Sequence, residues 1–438
     1  MISLDNSAKV LVVGFGVTNR AVSRALITRG HTVTAYEDEP NVYLRGQAAQ
    51  LGIEMLDNEE ALKACLARVD FVVPTPGLNE YHVGYVAAQQ NHIPLVSELD
   101  LVELWDDRPM VAITGTNGKT TVVELCTDAL KRSGFRAVAA GNNELPLVSA
   151  INDPTTEMFV VEASSFRLAQ TRLFAPQVGT WLNFAPDHLD VHKNLASYEK
   201  AKSRIWRNLK PDGICVANAL DRVVMAHRRP DRECVTYAGQ GSPWRAQDDQ
   251  LVGPQGPFGL VEDLWRTMPH DIEAALATAA SVVPVGAELD ALRWTYRDFK
   301  GLPHRIALVG EIDGSLYYND SKATTPHATS AALRGFDKVV LIAGGQNKGV
   351  DLKEMAAESQ HVLAVVAIGS AAEEIKEAFA STHQATIAAD IDDAVVQARR
   401  LAKGGTTVLL SPGCASFDAY ENYRQRGEDF LRAVKEQQ

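Results

Sequence analysis

The chain has 438 residues, 46% of them hydrophobic and 22% charged, with a formal net charge of −12. At roughly 100–200 residues per domain, this length predicts two to four globular domains. The acidic balance argues against nucleic-acid or anionic-membrane partners, and no apolar run approaches the ~20 residues that span a bilayer.

The start, "MISLDNSAK", lacks a basic segment followed by an apolar one, so no signal peptide is expected. Cys65, Cys126, Cys215, Cys234 and Cys414 are scattered, odd in number and form no C-x-x-C pair. Neither a disulfide framework nor a zinc site is expected, and a reducing cytoplasm fits best.

"KVLVVGFG" (9–16) reads as a strand and turn, "AVSRALITRG" (21–30) as a helix closed by glycine, and "HTVTAYE" (31–37) as a second strand. "VDFVVPTPG" (69–77) and "IPLVSELDL" (93–101) read as further strands. This βαβ rhythm predicts a mostly parallel sheet with helices on both faces. "VGFGVTNRA" (13–21) has the look of the dinucleotide fingerprint G-x-G-x-x-G, with Asn19 where the third glycine belongs. Glu37, ending the second strand, completes the look of an NAD site. Alone, this would point to an oxidoreductase.

The rhythm restarts at "MVAITGTNGKTT" (110–121). A phosphate loop needs glycines so that backbone N–H groups can approach phosphate oxygens, a lysine for their charge and a hydroxyl for Mg²⁺. The helix that follows points its positive end at the anion. Gly115, Gly118, Lys119 and Thr120 supply these parts, among Thr116, Asn117 and Thr121. "EMFVVEASS" (157–165) then places Glu162 at a strand end, where a carboxylate can hold Mg²⁺. "NFAPDHLDVH" (183–192) crowds Asp187, His188, Asp190 and His192 into six residues, a composition suited to metal or acid–base work. In "YEKAKSRIW" (198–206), Tyr198 and Lys202 share one helix face, where a lysine is ordinarily solvated. "VGTWLNF" (178–184) and "GICVANA" (213–219) read as strands, 225–265 as loops with a short hairpin, and "DIEAALATAASVV" (271–283) as a helix.

A third set comprises "SLYYNDS" (315–321), "DKVVLIAGG" (337–345), "VLAVVAIG" (362–369), "TTVLLSPG" (406–413) and a last helix near 420–436. The expected domains are 1–107, 108–297 and 298–438: three α/β units in series.

"TGTNGKTT", "EASSF", "DHLDVH" and "YEKAKSRI", in that order, resemble the Mur ligases, a family of ATP-dependent amide-bond ligases. "GLPHR" (301–305), "NDSKAT" (319–324), "GGQNKG" (344–349) and "LSPGCASFDAYENYRQRGEDF" (410–430) are similar to its D-glutamate-adding members. The resemblance covers essentially the whole chain. It implies a Rossmann-like first unit, a central P-loop ATPase-type unit and a Rossmann-like third unit. It also implies a cytoplasmic monomer serving peptidoglycan precursor synthesis. In the implied reaction ATP phosphorylates the L-alanine carboxylate of a UDP-sugar peptide, and the amine of D-glutamate attacks the acyl phosphate.

The resemblance further implies site roles. Lys119 and Thr120 hold phosphates and Mg²⁺, and Glu162, His188 and Lys202 serve the metal ions, with Lys202 carbamylated. Arg305, Asp320 and Lys322 close onto ATP, with Asp320 at the ribose. Thr324, Lys348, Ser416 and Tyr423 hold D-glutamate. Val17 and Thr18 meet the UDP diphosphate, so the first glycine-rich turn serves a UDP-sugar rather than NAD. Glu37, Gly77 in "PTPG", Asn142 and Ser164 complete the substrate set. Several positions depart from the family pattern, among them Ala185-Pro186, where a polar or acidic residue often stands. Asp271 stands where an asparagine usually meets adenine, and can accept but not donate. Glu144 stands where glycine is usual, and Tyr423 where phenylalanine often stands.

Overall fold

The computed structural model describes residues 7–142 and 145–438; Glu144 lies outside them. The chain forms two compact units, one of Met1–Phe184, Asp190–Gly259 and Leu276–Thr295, the other of Ala185–Leu189, Leu260–Ala275 and Tyr296–Gln438.

The first unit holds two parallel sheets. One has the order β3-β2-β1-β4 and contains β1 (Lys9–Val13), β2 (Thr32–Tyr36), β3 (Glu54–Leu56) and β4 (Phe71–Pro74). The chain steps outward from β1 in both directions, so the glycine-rich turn after β1 lies at the switch point where open α/β sheets bind ligands. The expected strand at 93–101 is instead the helix Glu98–Trp105, with Leu95 alone bridging to Val72. Local chemistry explains the difference. Ser97 Oγ accepts the Asp100 N–H, and Glu98 and Asp100 put negative charge in the first helical turn.

The other sheet has the order β10-β9-β8-β5-β7-β6. It contains β5 (Met110–Thr114), β6 (Ala137–Gly141), β7 (Met158–Glu162), β8 (Val178–Trp181), β9 (Ile214–Asn218) and β10 (Cys234–Tyr237). Every residue of β5, β7 and β8 is buried, as expected of parallel strands covered on both faces. β5 sits at the second switch point. The stretch 225–265 is more ordered than a hairpin with loops. After β10 comes a three-stranded sheet of β11 (Arg245–Gln247), β12 (Gln250–Gly253) and β13 (Gly256–Leu260).

The second unit has one sheet, order β14-β15-β19-β16-β17-β18. Its strands are β14 (Ala307–Ile312), β15 (Ser315–Asn319), β16 (Val339–Gly344), β17 (Val362–Ile368), β18 (Ala385–Ile387) and β19 (Thr407–Gly413). β14 runs antiparallel to β15; the other pairs are parallel. Separate apolar clusters cover its two faces, one around Leu341 and Leu409, the other around Val340 and Leu410. The loops after β16 and β19 flank this sheet's switch point. No helix among the described residues is long and apolar enough to cross a membrane.

Candidate active site

The loop after β5 has the geometry its glycines predict. Gly118 is the N-cap of the helix Lys119–Arg132 at φ +83°, a left-handed conformation that side chains resist, and no side chain caps that helix end. The helix therefore opens its first N–H groups toward the loop. Lys119 Nζ folds back to donate to the carbonyls of Gly115 and Thr116, both at 2.9 Å.

Sequence reasoning missed the residue that fixes this loop. Asn183, just past β8, takes the Asn117 N–H on Oδ1 at 2.9 Å and returns Nδ2 to the Asn117 carbonyl at 3.2 Å. Its own carbonyl accepts from Thr116 N at 3.1 Å. Asn183 stood in the quoted "NFAPDH" segment, but its partners lie 66 positions upstream in the sequence.

Lys202 is not the solvated helix lysine that its surroundings in the sequence suggest. It is 1% exposed, donates to Gly115 O at 2.6 Å and lies 4.7 Å from the Tyr198 ring centroid. Tyr198 OH in turn meets Thr116 Oγ1 at 3.1 Å. Glu162, 3% exposed at the end of β7, accepts from Asn142 Nδ2 at 3.1 Å through Oε1. Its Oε2 is buried and finds no hydrogen-bond partner among the described residues. An orphaned carboxylate oxygen beside a phosphate loop fits a divalent cation, since an unpaired buried charge is otherwise costly. Thr120 and Thr121 lie in the first turn of the helix after the loop. Among the described residues no three His, Cys, Asp or Glu side chains cluster as metal ligands.

The expectation for His188 meets a different arrangement. Ala185–Leu189 belongs to the second unit. There His188 Nε2 lies 3.2 Å from Asp187 Oδ2, and Asp187 Oδ1 holds Lys348 Nζ at 2.5 Å. Burial opposes the charge on Asp187, but His188 and Lys348 outweigh it and hold its carboxyl below the usual range. Lys348, expected to take a substrate carboxylate, thus already has a protein one.

In the first glycine-rich turn, Asn19 explains the missing third glycine. It is fully buried and donates to Val13 O, Gly14 O and Val73 O at 2.8–3.1 Å, so an amide knits β1 to β4. Glu37, expected at a ligand, accepts Phe15 N at 2.6 Å and braces the turn. Val17 is exposed at the start of the helix Val17–Thr28. Thr18 Oγ1 accepts from Arg167 Nη2 at 3.0 Å, and Arg167 also pairs with Glu98. Burial draws the Arg167 guanidinium down to about 10. Gly77, Phe166 and His192 line one cavity with Arg167 and Glu98. Ser164 caps the short helix Ser165–Leu168 beside it.

In the second unit, Asp320 is buried and accepts from Ser411 Oγ at 2.8 Å; burial pushes its carboxyl up to about 7 against the pull of Ser411 and Arg305. Arg266 grips both oxygens of Asp271 at 2.9 Å and donates to the carbonyls of Arg305 and Ile306 at 2.8 Å. Asp271, expected at adenine, is therefore a buried carboxylate paired with the half-buried Arg266. Lys322 Nζ lies 3.9 Å from the Tyr423 ring centroid. Thr324 is half-buried in the loop after β15. Ser416, 2% exposed, lies in the loop that Arg426 fastens from within. Arg426 donates to Cys414 O, Ala415 O and Ser321 O at 2.9–3.2 Å. Gly344 and Gly345 permit the close approach there: added Cβ atoms would meet Ile368 O and Ala415 O at 2.0 and 2.2 Å.

Parallel sheets with an open phosphate loop and a buried strand-end carboxylate define a nucleotide-binding α/β protein. Comparison with known proteins narrows the class. The Mur ligase middle domain matches residues 113–254, and the Mur ligase glutamate ligase domain matches 304–414. The UDP-N-acetylmuramoylalanine–D-glutamate ligase of Desulfosudis oleivorans is 34% identical over 98% of this chain and 96% of its own. That of Frankia casuarinae is 37% identical over 97% of this chain and 93% of its own. The chain belongs to the Mur ligase family. The MurF ligase of Thermotoga maritima, solved in complex with ADP, shares the fold, with a TM-score of 0.61 at 16% identity over 99% of this chain and 95% of its own.

Proposed function

We propose that the chain is an ATP-dependent ligase joining D-glutamate to UDP-N-acetylmuramoyl-L-alanine through an acyl phosphate, in the cytoplasm and as a monomer. The observation that carries the reading is the loop 115–120, engaged by Lys119 and pinned by Asn183, beside Glu162, whose Oε2 has no hydrogen-bond partner among the described residues. Full-length similarity to D-glutamate ligases supplies the substrate.

The reaction gathers negative charge, so positioned cations and N–H groups dominate its catalysis. Mg²⁺, when bound, supplies Lewis-acid charge to the phosphates. On this reading the loop Gly115–Thr121, whose Thr116 and Asn117 N–H groups are held by Asn183, and the Lys119 ammonium orient the ATP phosphates, Thr120 and Glu162 hold the metal, and His188 is a further candidate ligand. Lys202 acts as a carbamate. Its modified nitrogen keeps one N–H for Gly115 O, and the added carboxylate turns a cation that would repel Mg²⁺ into an anion. Val17, Thr18, Gly77, Asn142 and Ser164 serve the UDP-sugar peptide, and Glu37 braces its turn. Arg305, Asp320, Lys322 and Asp271 serve ATP, and Thr324, Lys348, Ser416 and Tyr423 serve D-glutamate. The domains are 1–107, 108–297 and 298–438, one for each large sheet.

The test is phosphate release from ATP with Mg²⁺ and UDP-N-acetylmuramoyl-L-alanine, comparing D-glutamate, L-glutamate and no amino acid. Release with D-glutamate alone is expected. Release only with L-glutamate would move the substrate, and silence with all three despite ATP binding would overturn the ligase reading.

A further inference from the structure

The cysteines are not all scattered in space. Cys215 on β9 and Cys234 on β10 stand directly opposite each other in the parallel register. Both thiols are free, and their Sγ atoms are 2.6 Å apart. Neighbouring strands lie about 4.8 Å apart, inside the roughly 4.4–6.8 Å Cα span of a disulfide. Cys215 is buried and Cys234 half-buried, so reagents reach the second sulfur first. The Cys215 S–H favours the Cys234 thiolate, and Arg228 adds to this against the opposing effect of burial.

We propose that Cys215 and Cys234 form a reversible disulfide, a redox-modification site at the edge of the nucleotide-binding sheet. The oxidant is a small-molecule disulfide. The Cys234 thiolate attacks one of its sulfurs and expels a small thiolate, leaving a mixed disulfide. The Cys215 sulfur then attacks the Cys234 sulfur, the bond to the small molecule breaks, and the Cys215 proton leaves with that second thiol. Two protein thiols are oxidised to one cystine, and the small disulfide is reduced to two thiols.

The position of the pair gives the bond a route to the phosphate loop. Three residues beyond each cysteine, Asn218 Nδ2 and Tyr237 OH both donate to Leu182 O, at 3.0 and 3.2 Å. Asp221 Oδ2 takes the Phe184 N–H at 2.6 Å. Residue 183, between these clamped positions, is the asparagine that pins the loop. A covalent tie between β9 and β10 constrains the clamp, so oxidation is felt at the nucleotide loop; this second step rests on the nucleotide reading proposed above.

The test treats the full chain with glutathione disulfide, alkylates it after denaturation and maps its peptides without reduction. The expected result is a Cys215–Cys234 cross-linked peptide and loss of two of the five alkylatable thiols, reversed by dithiothreitol. In Cys234→Ser the cross-link is absent and Cys215 stays alkylatable. Five alkylatable thiols in the treated wild type, or loss confined to Cys65, would overturn the proposal. ADP affinity is then compared between oxidised and reduced protein. A several-fold difference, absent in Cys234→Ser, supports the coupling, and equal affinities overturn it. Failure of the reduced protein to bind ADP would count against the nucleotide reading, not against the disulfide.

Discussion

Replacing Asn183 by alanine removes two side-chain hydrogen bonds to the backbone of a single residue, Asn117, while leaving every phosphate-facing group in place. Asn117 loses the acceptor of its N–H at 2.9 Å and the donor to its carbonyl at 3.2 Å. Each such bond contributes about 0.5–1.5 kcal/mol net, so the loop's folded geometry loses about 1–3 kcal/mol. The site is part-buried, and water can satisfy a loosened Asn117. The loss therefore appears as an unpinned loop rather than an unfolded sheet. Nucleotide binding must restore the geometry, so the deficit transfers to affinity. At 1.4 kcal/mol per tenfold, ADP should bind about 5- to 150-fold more weakly. Isothermal titration of ADP into wild type and Asn183→Ala measures this, with thermal unfolding as the control. An affinity within twofold of wild type at unchanged melting temperature would refute the claim that Asn183 sets the loop.

Lys119→Ala should lower turnover at least about 100-fold, the scale for removing one positioned electrostatic donor, with the fold intact by circular dichroism; normal turnover would sink the phosphate-loop assignment. Lys202→Ala should lose activity and regain part of it with added acetate or formate, which replace the carbamate's negative charge; absence of rescue at every concentration counts against carbamylation. Asp320 makes stability depend on pH in a defined direction. Its carboxyl titrates near 7 when folded and near 3.9 when unfolded, so the folded state holds the extra proton between those values. Stability should fall as pH rises from about 4 to 7, by an upper bound of roughly 4 kcal/mol, and Asp320→Asn should flatten that slope in pH-resolved melting curves. Arg266→Ala leaves the buried Asp271 carboxylate with only His270 within ion-pair distance among the described residues, at 3.6 Å, and should lower the melting temperature; a melting temperature within a degree of wild type would show the pair to be dispensable.

The phosphate loop was legible because everything defining it is local: "MVAI" before it, two glycines within four residues, and a helix pattern after it. The alternating rhythm likewise gave the parallel sheets, since strands buried on both faces read as unbroken apolar runs. "PLVSELDL" misled because a short apolar run suits strand or helix alike, and the capping by Ser97 decides between them. What stayed hidden depends on partners distant in sequence. Asn183 meets Asn117 across 66 positions, Arg426 meets Ser321 across 105, and Arg167 meets Thr18 across 149. Cys215 and Cys234 are 19 apart with no motif spacing, and only adjacent parallel strands bring them together. The Asp271 substitution was visible, but its meaning was not. The aspartate is matched to Arg266 five positions earlier, a spacing that marks no shared helix face because Arg266 precedes the helix Pro269–Val282.

The cations assigned to anionic ligands are each engaged by the protein itself, and the partners differ in kind. Lys119 donates to two neutral carbonyls, Lys322 lies over an aromatic ring, and Lys348 meets the full charge of Asp187. An incoming anion meets those carbonyls and that ring at the first two. At Lys348 it must compete with, or share the ammonium with, a carboxylate held charged by His188 as well. Exchanging one carboxylate for another returns little net Coulomb energy, because the attraction gained nearly equals the attraction lost. A carboxylate at Lys348 has to draw its affinity from contacts other than that charge. On the proposed assignment of Lys348 and Ser416 to the amino acid, specificity rests on the shape and hydrogen bonds of the loops around Ser416, which Arg426 fastens from beneath.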